Sequence, residues 1–446
     1  MRSTVAELLA DIGDYPSVLV LVRSFGPRLD SAAQFAVSDS GDWLPDPAGH
    51  YLGGSPTLRF VRIGDTRQRV RIGLASDWFG NIPKGTTTTA MVRAFTATET
   101  ALRQAFDPGV MLWTSPVATG RALWRRTIPK GTSYPILDRS TADLIRNTTQ
   151  QGRNEMIGCV WCSGDGCPDH PSVAAQLFEL DARLAYPALA AGDLPNNLTA
   201  HDEQPWTPET AYDLARYRVR VTVPQGWHHV GLLGVQRKTW EYPRTPGETF
   251  ETWADGAELA IAHKQGWAFW ALERLAFDRC RPLRSWSTKL TEAALAPDLD
   301  PLVRSALRSV LLSTIGGFAQ GPVLVTKTAG AGQSLPPASA RRIKKVNGVL
   351  TWQETGANEG STPFYHWAAA IWARQRARLL DGPGQTGALR LPPESVVAFR
   401  TDAIWSTLDP SWPDDGSAGR YRVKQAQTEP APWPYGVRAL LENRES

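Results

Sequence analysis

The sequence predicts a mixed α/β (α+β) fold with an antiparallel sheet and packed helices, and three segments carry that expectation. Between Tyr217 and Val223, apolar residues alternate strictly with Arg218, Arg220 and Thr222, the period-2 pattern of a half-buried strand ending at Pro224. Residues 364–380 place their apolar positions at helical spacing instead, with Arg374, Arg376 and Arg378 among them. Val396–Thr407 sets two apolar runs around Arg400-Thr401-Asp402, which reads as a tight hairpin.

A length of 446 residues suggests about three domains, or two with insertions. With 42% hydrophobic and 21% charged residues, the chain can bury a large core, which excludes global disorder. A net charge of +4 permits an acidic partner without demanding one. Three of the four cysteines fall between positions 159 and 167, which excludes a disulfide scaffold and suggests a metal site in a reducing compartment. No run approaches the roughly 18 apolar residues of a membrane span. The first residues carry acids and lack a basic region followed by a cleavage site. The expectation is a soluble, cytoplasmic protein with no membrane partner.

In chain order, Ser17–Arg23 reads as a strand and Leu58–Leu74 as a hairpin around Gly64-Asp65. Thr96–Phe106 has helical spacing and stops at Asp107-Pro108-Gly109. Ala122–Arg126 and Ser140–Asn147 look helical. After the Tyr217–Val223 strand come a second strand, His229–Val235, a helix, Trp253–Lys264, ended by Gly266, and a strand, Ala268–Phe277. Helices follow at Pro282–Ala293 and Leu302–Phe318. Residues 321–362 form a Gly-, Ser- and Thr-rich loop or small hairpin, and a short last helix is expected near Val437–Glu442.

Three constellations bear on chemistry. Phe178-Glu179-Leu180-Asp181 is an apolar strand ending in an acid, and Tyr186-Pro187 opens a helix just beyond, a setting that suits a metal or phosphate. Taken alone, Asp181 also fits a helix cap or turn. Arg304 and Arg308 share a helix face that Leu312 and Ile315 continue, so they could grip a polyphosphate over an apolar floor. A solvated arginine edge on an amphipathic helix fits equally. Asp402 sits at a hairpin tip, where any polar residue would serve.

In this order and at these separations, the three resemble motifs A, B and C of family-B DNA polymerases. The likeness is greatest to the protein-primed type of bacteriophages and linear plasmids. Motif A, Asp-x-x-Ser-Leu-Tyr-Pro, corresponds to Asp181 through Tyr186 and Pro187. Motif B, Lys-x-x-x-Asn-Ser-x-Tyr-Gly, corresponds to Arg308, Leu312, Ser313, Ile315 and Gly316, and motif C, Asp-Thr-Asp-Ser, to Arg400-Thr401-Asp402-Ala403. Gln150-Gln151-Gly152-Arg153 stands where the family has a DNA-contacting turn, and Arg422-Val423-Lys424 resembles its Lys-x-Tyr segment, with Tyr421 preceding it.

The resemblance implies a polymerase palm in which Asp181 and Asp402 hold Mg²⁺ (or Mn²⁺) for two-metal nucleotidyl transfer. Tyr186 would select the sugar. Arg308 and Arg304 would take the triphosphate, arginine keeping the charge of the family's lysine and adding bidentate geometry. Leu312 and Ile315 would meet the nucleotide in place of the family's Asn and Tyr, so fidelity should be poor. Gly152, Arg153, Arg400 and Lys424 would contact DNA. Arg400 replaces an acid: ~5 Å from a bound dication, its repulsion would be of order 6 kcal/mol at an effective dielectric of ~20. Turned toward a primer phosphate, it would help bind DNA.

The partners implied are a primer-template, deoxynucleoside triphosphates, and a protein primer or a thumb-supplying subunit. The expected divisions are a reduced, inactive exonuclease-like domain over 1–115, which lacks an Asp-x-Glu, and a first palm part over 116–283. Short helical fingers over 284–320, an insertion over 321–362, and a second palm part with a short tail over 363–446 complete it. Separately, Cys159, Cys162, Cys167 and His170 form a C-x2-C-x4-C-x2-H run, enough for a structural tetrahedral Zn²⁺. The main rival to a polymerase is a degenerate one kept as a DNA-binding or replication-initiation factor. An unrelated zinc-stabilised binding protein is a third reading.

Overall fold

The computed structural model describes residues 65–113, 115–157, 176–210, 214–319 and 364–427, with the strands 17–22, 43–45, 51–52, 55–56, 58–62, 173–174, 324–329, 341–346, 349–355 and 431–432. The chain divides into two compact units. Unit 1 is Met1–Ile128 with Glu292–Pro363, and unit 2 is Pro129–Thr291 with Phe364–Ser446. The zinc-candidate residues Cys159, Cys162, Cys167 and His170, and the Val437–Glu442 helix, lie outside the described residues.

Unit 1 begins with β1 (Ser17–Val22), β2 (Trp43–Pro45), β3 (Leu58–Arg62) and β4 (Asp65–Leu74), in the order β1-β4-β3-β2. The predicted hairpin is β3–β4, closed where Arg62 faces Asp65. Helices α1 (Ala75–Phe79), α2 (Thr88–Ala105) and α3 (Pro116–Thr127) follow. Helix α2 starts two turns before the apolar period does. The Thr87 hydroxyl accepts from the Ala90 N–H at 3.1 Å, and a threonine run carries no periodic signal.

Unit 2 opens with α4 (Arg139–Asn147), β5 (Arg153–Met156), β6 (Leu177–Ala182) and α5 (Ala185–Ala190). An antiparallel sheet follows, built from β7 (Leu194–Asp202), β8 (Ala215–Thr222), β9 (Thr249–Asp255) and β10 (Ala268–Cys280), in the order β7-β10-β8-β9. Strand β8 is the predicted alternating segment, with Tyr217, Val219 and Val221 fully buried. Two expectations fail around it. His229–Val235 is not a strand: Val230, Leu232 and Leu233 fill the core from an irregular loop. Gly231 lies so close to the Tyr242 backbone that a Cβ there would sit 2.3 Å from the Tyr242 carbonyl oxygen. Trp253–Asp255 belongs to β9, and α6 (Gly256–Lys264) starts only at Asp255, which forms a capping box with Glu258.

Helix α7 (Arg284–Leu295) leads to α8 (Pro301–Phe318) in unit 1. Asp300 caps α8 by accepting from the Leu302 and Val303 N–H groups, ahead of a Pro at the first helical position. The stripe Val303, Ala306, Leu307, Val310, Leu311, Thr314, Phe318 is buried. Helix α3 meets α8 through small residues: a Cβ on Gly120 would fall 1.8 Å from Thr314 Oγ1. Residues 321–362 contain β11 (Leu324–Ala329), β12 (Arg341–Val346) and β13 (Val349–Thr355), an antiparallel sheet in the order β11-β13-β12.

Unit 2 is completed by α9 (Tyr365–Leu380), β14 (Val396–Thr401), β15 (Ala403–Ser406) and β16 (Tyr421–Gln427). The last three join β5 and β6 in a five-stranded antiparallel sheet, β16-β6-β15-β14-β5. One face of this sheet supplies Leu180, Ala182, Phe399, Ile404 and Tyr421 to the unit 2 core, which includes Ala377 and Leu380 of α9. Among the described residues, no helix is long and apolar enough to cross a membrane. Gly120→Ala should lower stability by about 1–3 kcal/mol through overpacking between α3 and α8, seen as a lower denaturant midpoint with unchanged slope.

Candidate active site

Because side chains alternate along a strand, Leu180 and Ala182 point into the core while Glu179 and Asp181 share the opposite face of β6. Asp181, 3% exposed, stands opposite Ala403 of β15 and Arg422 of β16. Arg400 pairs with Ala403 across the β14–β15 hairpin, so Thr401 and Asp402 form its two-residue turn. Thr401 takes a positive φ of 53° there. Its N–H donates to Asn154 Oδ1 at 3.1 Å, and its hydroxyl lies 3.1 Å from Asp402 Oδ1. Asp402 is one residue from the cross-strand neighbour of Asp181, which puts the two backbones within about 6 Å of each other. The register thus sets the backbones of both predicted acids close together.

Two phenols report the charge they create. Tyr421 is 2% exposed, and its hydroxyl has no hydrogen-bond partner. Burial first, then the carboxylates of Asp402 and Asp181, push its pKa well above the ordinary value. Tyr186, half-buried in the first turn of α5, is raised by burial and then by Asp402. Both phenols therefore keep their protons at neutral pH. The chain reverses from β6 into α5 at Leu184, held at φ 45°. The Arg183 N–H donates to the Arg420 carbonyl, and the Arg183 guanidinium pairs with Asp414 at 2.9 Å.

Gly152 is buried against the hairpin turn, where a Cβ would lie 3.0 Å from Thr401 Cα, so only glycine fits without a shift. The loop before it is held from below. Tyr242 donates its hydroxyl to Gln150 Oε1, and Arg376 donates to the Gln150 carbonyl oxygen. Arg376 is itself paired with Glu258 at 2.8 Å, both buried.

The sheet and its helices are similar to Phi29 DNA polymerase complexed with primer-template DNA and incoming nucleotide. The TM-score is 0.57 at 14% identity, covering 84% of this chain and 69% of that one. The post-translocation binary complex with primer-template DNA gives 0.57 at 14% identity, over 84% and 68%. The complex with single-stranded DNA gives 0.54 at 15% identity, over 84% and 68%. The chain has a DNA polymerase fold. No protein-family model matches the sequence, and no curated protein matches it.

Within this polymerase fold, several predicted residues are placed differently from expectation. Arg153 does not face DNA: it is 1% exposed, stacked between the Tyr242 and Phe399 rings at 3.9 and 4.0 Å. Its guanidinium donates to Glu155 and, at 2.8 Å, to the Gly231 carbonyl oxygen, so it braces the core. Ile315 is 1% exposed and continues the buried stripe of α8 rather than offering a face to a nucleotide. Lys424 is half-exposed but pairs with Glu179 at 2.6 Å, on the Asp181 face of β6.

Arg304 is exposed, while Arg308 and Leu312 are half-buried. These three and Ile315 belong to unit 1, whereas Asp181, Tyr186 and Asp402 belong to unit 2. Arg400 lies on the sheet face of Asp181, in the row Asn154, Arg400, Ala403, Asp181, Arg422. Sequence reasoning named neither Tyr421 nor Arg422 as a site residue, although Arg422 opens the Lys-x-Tyr-like segment and Tyr421 precedes it. Arg153→Met should reduce stability by about 3–5 kcal/mol, because it leaves Glu155 without its buried partner. Chemical denaturation in the absence of DNA measures it.

Proposed function

We propose that the protein is a template-directed DNA polymerase that adds deoxynucleotides to a primer end without proofreading. The observation that carries this reading is that strand register brings Asp181 and the Asp402 turn close together at one end of neighbouring strands. Two carboxylates side by side are hard oxygen donors suited to Mg²⁺ or Mn²⁺. Both acid fields reach the Tyr421 phenol, which supports a shared site. Held by Asp181 and Asp402, the metal would stabilise the attacking 3′-oxygen and the leaving pyrophosphate.

Tyr186, kept protonated by burial and by Asp402, would fill the space that a ribose 2′-hydroxyl needs. Arg308 and Arg304 would grip the triphosphate. Leu312 would offer the incoming base an apolar surface with no hydrogen bonds, the basis for poor fidelity. Gly152 would let the DNA approach the turn closely, and Arg400 and Lys424 would meet backbone phosphates. The neighbours of similar fold are complexes with primer-template DNA, which supports a DNA partner.

One observation favours a second reading, a degenerate polymerase acting as a DNA-binding or replication-initiation factor. Arg400 replaces the acid that resemblance expects, and it shares the Asp181 sheet face. Primer extension with Mg²⁺ or Mn²⁺ separates the two. The wild type should extend, and Asp181→Ala or Asp402→Ala should each cost several kcal/mol of transition-state stabilisation, about 10³-fold or more. No extension on any primer-template, with DNA binding retained, would leave the second reading standing.

We also propose that Cys159, Cys162, Cys167 and His170 hold a structural Zn²⁺, on the strength of their spacing alone. Metal analysis should find about one zinc per chain in the wild type and a loss of it in Cys162→Ser. Equal zinc content in both proteins would dismiss the site.

A further inference from the structure

Unit 2 contains a cavity of about 420 Å³. It is walled by α5, the start of β7, β8, the N-terminus of α6, β10 and α9. Neither Asp181, Tyr186 nor Asp402 lines it. Helix α9 presents His366, Ala370, Arg374 and Arg378 to it, at intervals of four that form one helix face. Arg216 and Arg279 add two more guanidiniums from the facing strands.

The acids of the cavity are already engaged. Asp193 pairs with Arg281 and, at 3.4 Å, with Arg279. Asp255 lies 3.4 Å from Arg216, and burial raises its carboxyl above the usual range, toward the neutral form. That leaves Arg374 and Arg378 without a direct ion pair among the described residues, although Asp193 and Asp255 act on Arg374 from farther away. Arg374 donates only to the Asp193 carbonyl oxygen. Burial lowers the pKa of both guanidiniums, for Arg374 against the opposing pull of Asp255 and Asp193.

His366 is the second, independent sign. It is 2% exposed, neither of its ring nitrogens has a hydrogen-bond partner, and its ring stacks on Phe277 with centroids 6.1 Å apart. Burial pushes the imidazole down to about 3, so it is neutral and retains one N–H to donate. A buried polar ring facing a polar cavity with nothing to bond is costly unless a ligand completes it.

We propose that this cavity binds a small phosphate-bearing anion, gripped by Arg374 and Arg378 and completed by a hydrogen bond from His366. Paired arginines one helical turn apart suit phosphate oxygens. Inorganic phosphate, pyrophosphate and a nucleotide all offer this chemistry. The site needs neither metal nor the two active-site carboxylates, so it stands or falls apart from polymerase activity.

The test is calorimetric titration of the full chain, without added divalent ions, using inorganic phosphate, pyrophosphate and dATP as separate probes. The Asp181→Ala/Asp402→Ala double variant should bind at least one probe saturably, at one site per chain. Arg378→Gln should weaken that binding at least tenfold, and Arg378→Lys should recover part of it. Ala370→Phe fills the cavity without removing charge, and it should abolish binding even if Arg378→Gln fails to fold. Saturation by dATP alone would identify a nucleotide site, and saturation by pyrophosphate or phosphate a site for the phosphate group itself; either supports the proposal. No saturable binding of any probe, or binding in Arg378→Gln and Ala370→Phe as tight as without those changes, would overturn it.

Discussion

The hydrogen-bonded register of the five-stranded sheet is the constraint on which the candidate site of unit 2 depends. Asp181 and Asp402 are held at one end of neighbouring strands with their backbones about 6 Å apart, where two ionised carboxylates would repel each other. A chain does not gather such charges unless surrounding structure over-determines them. Here the determinants are hydrogen-bonded register and a two-residue turn, neither of which can slide by one residue without turning Leu180 and Ile404 out of the core. The hydrophobic side of the sheet thus fixes the position of its polar side.

The same logic runs through the layer beneath. Glu258 closes the capping box at the start of α6 and also pairs with Arg376 of α9, whose guanidinium reaches the Gln150 carbonyl. Burying such a pair contributes little net stability, since the Coulombic gain is offset by desolvation of both ions. Its contribution is positional: it ties a helix start, a second helix and a loop to one another. That loop presses Gly152 against Thr401, and Thr401 precedes Asp402. Arg153 does the corresponding job on the other side, joining Glu155 and the Gly231 carbonyl between two rings. Three arginines that look like surface or ligand-binding charges in the sequence (Arg153, Arg216 and Arg376) are buried within the core of this unit.

That distinction explains what the sequence disclosed and what it concealed. Strand β8, the β14–β15 hairpin and the β6–α5 junction were legible because each is a local pattern: alternation, a turn between apolar runs, an acid before a helix. The order of Asp181 and Asp402 along the chain carries the proposed site, and the register sets their backbones near each other. Arg153 was misread because one-dimensional patterns cannot distinguish a solvated guanidinium from one enclosed by Tyr242 and Phe399, residues far away in sequence. Ile315 was misread for the opposite reason: α8 buries a broad stripe, and a face inferred from Arg304 and Arg308 shades into it. The false strand at His229–Val235 has the apolar content of a strand, but Gly231 lets the backbone pack on Tyr242 where a ladder would otherwise form. Tyr421 gave no signal of its own, because its environment is made by burial in the core and only then by Asp402 and Asp181, residues far away in sequence.

The substitution at motif C becomes less severe once register is considered. In sequence, Arg400 stands two residues from Asp402 and seems aimed at any cation there. In the sheet, Ala403 separates it from Asp181, so the Arg400 and Asp181 backbones lie about 10 Å apart, two strand spacings. For a cation held at Asp181, that separation halves the repulsion, to about 3 kcal/mol at the same dielectric. Ala403 contributes only a methyl between them, which leaves the long Arg400 side chain room to lean along its strand, away from the acids. An arginine in that row would then weaken, without excluding, a metal held at the proposed site.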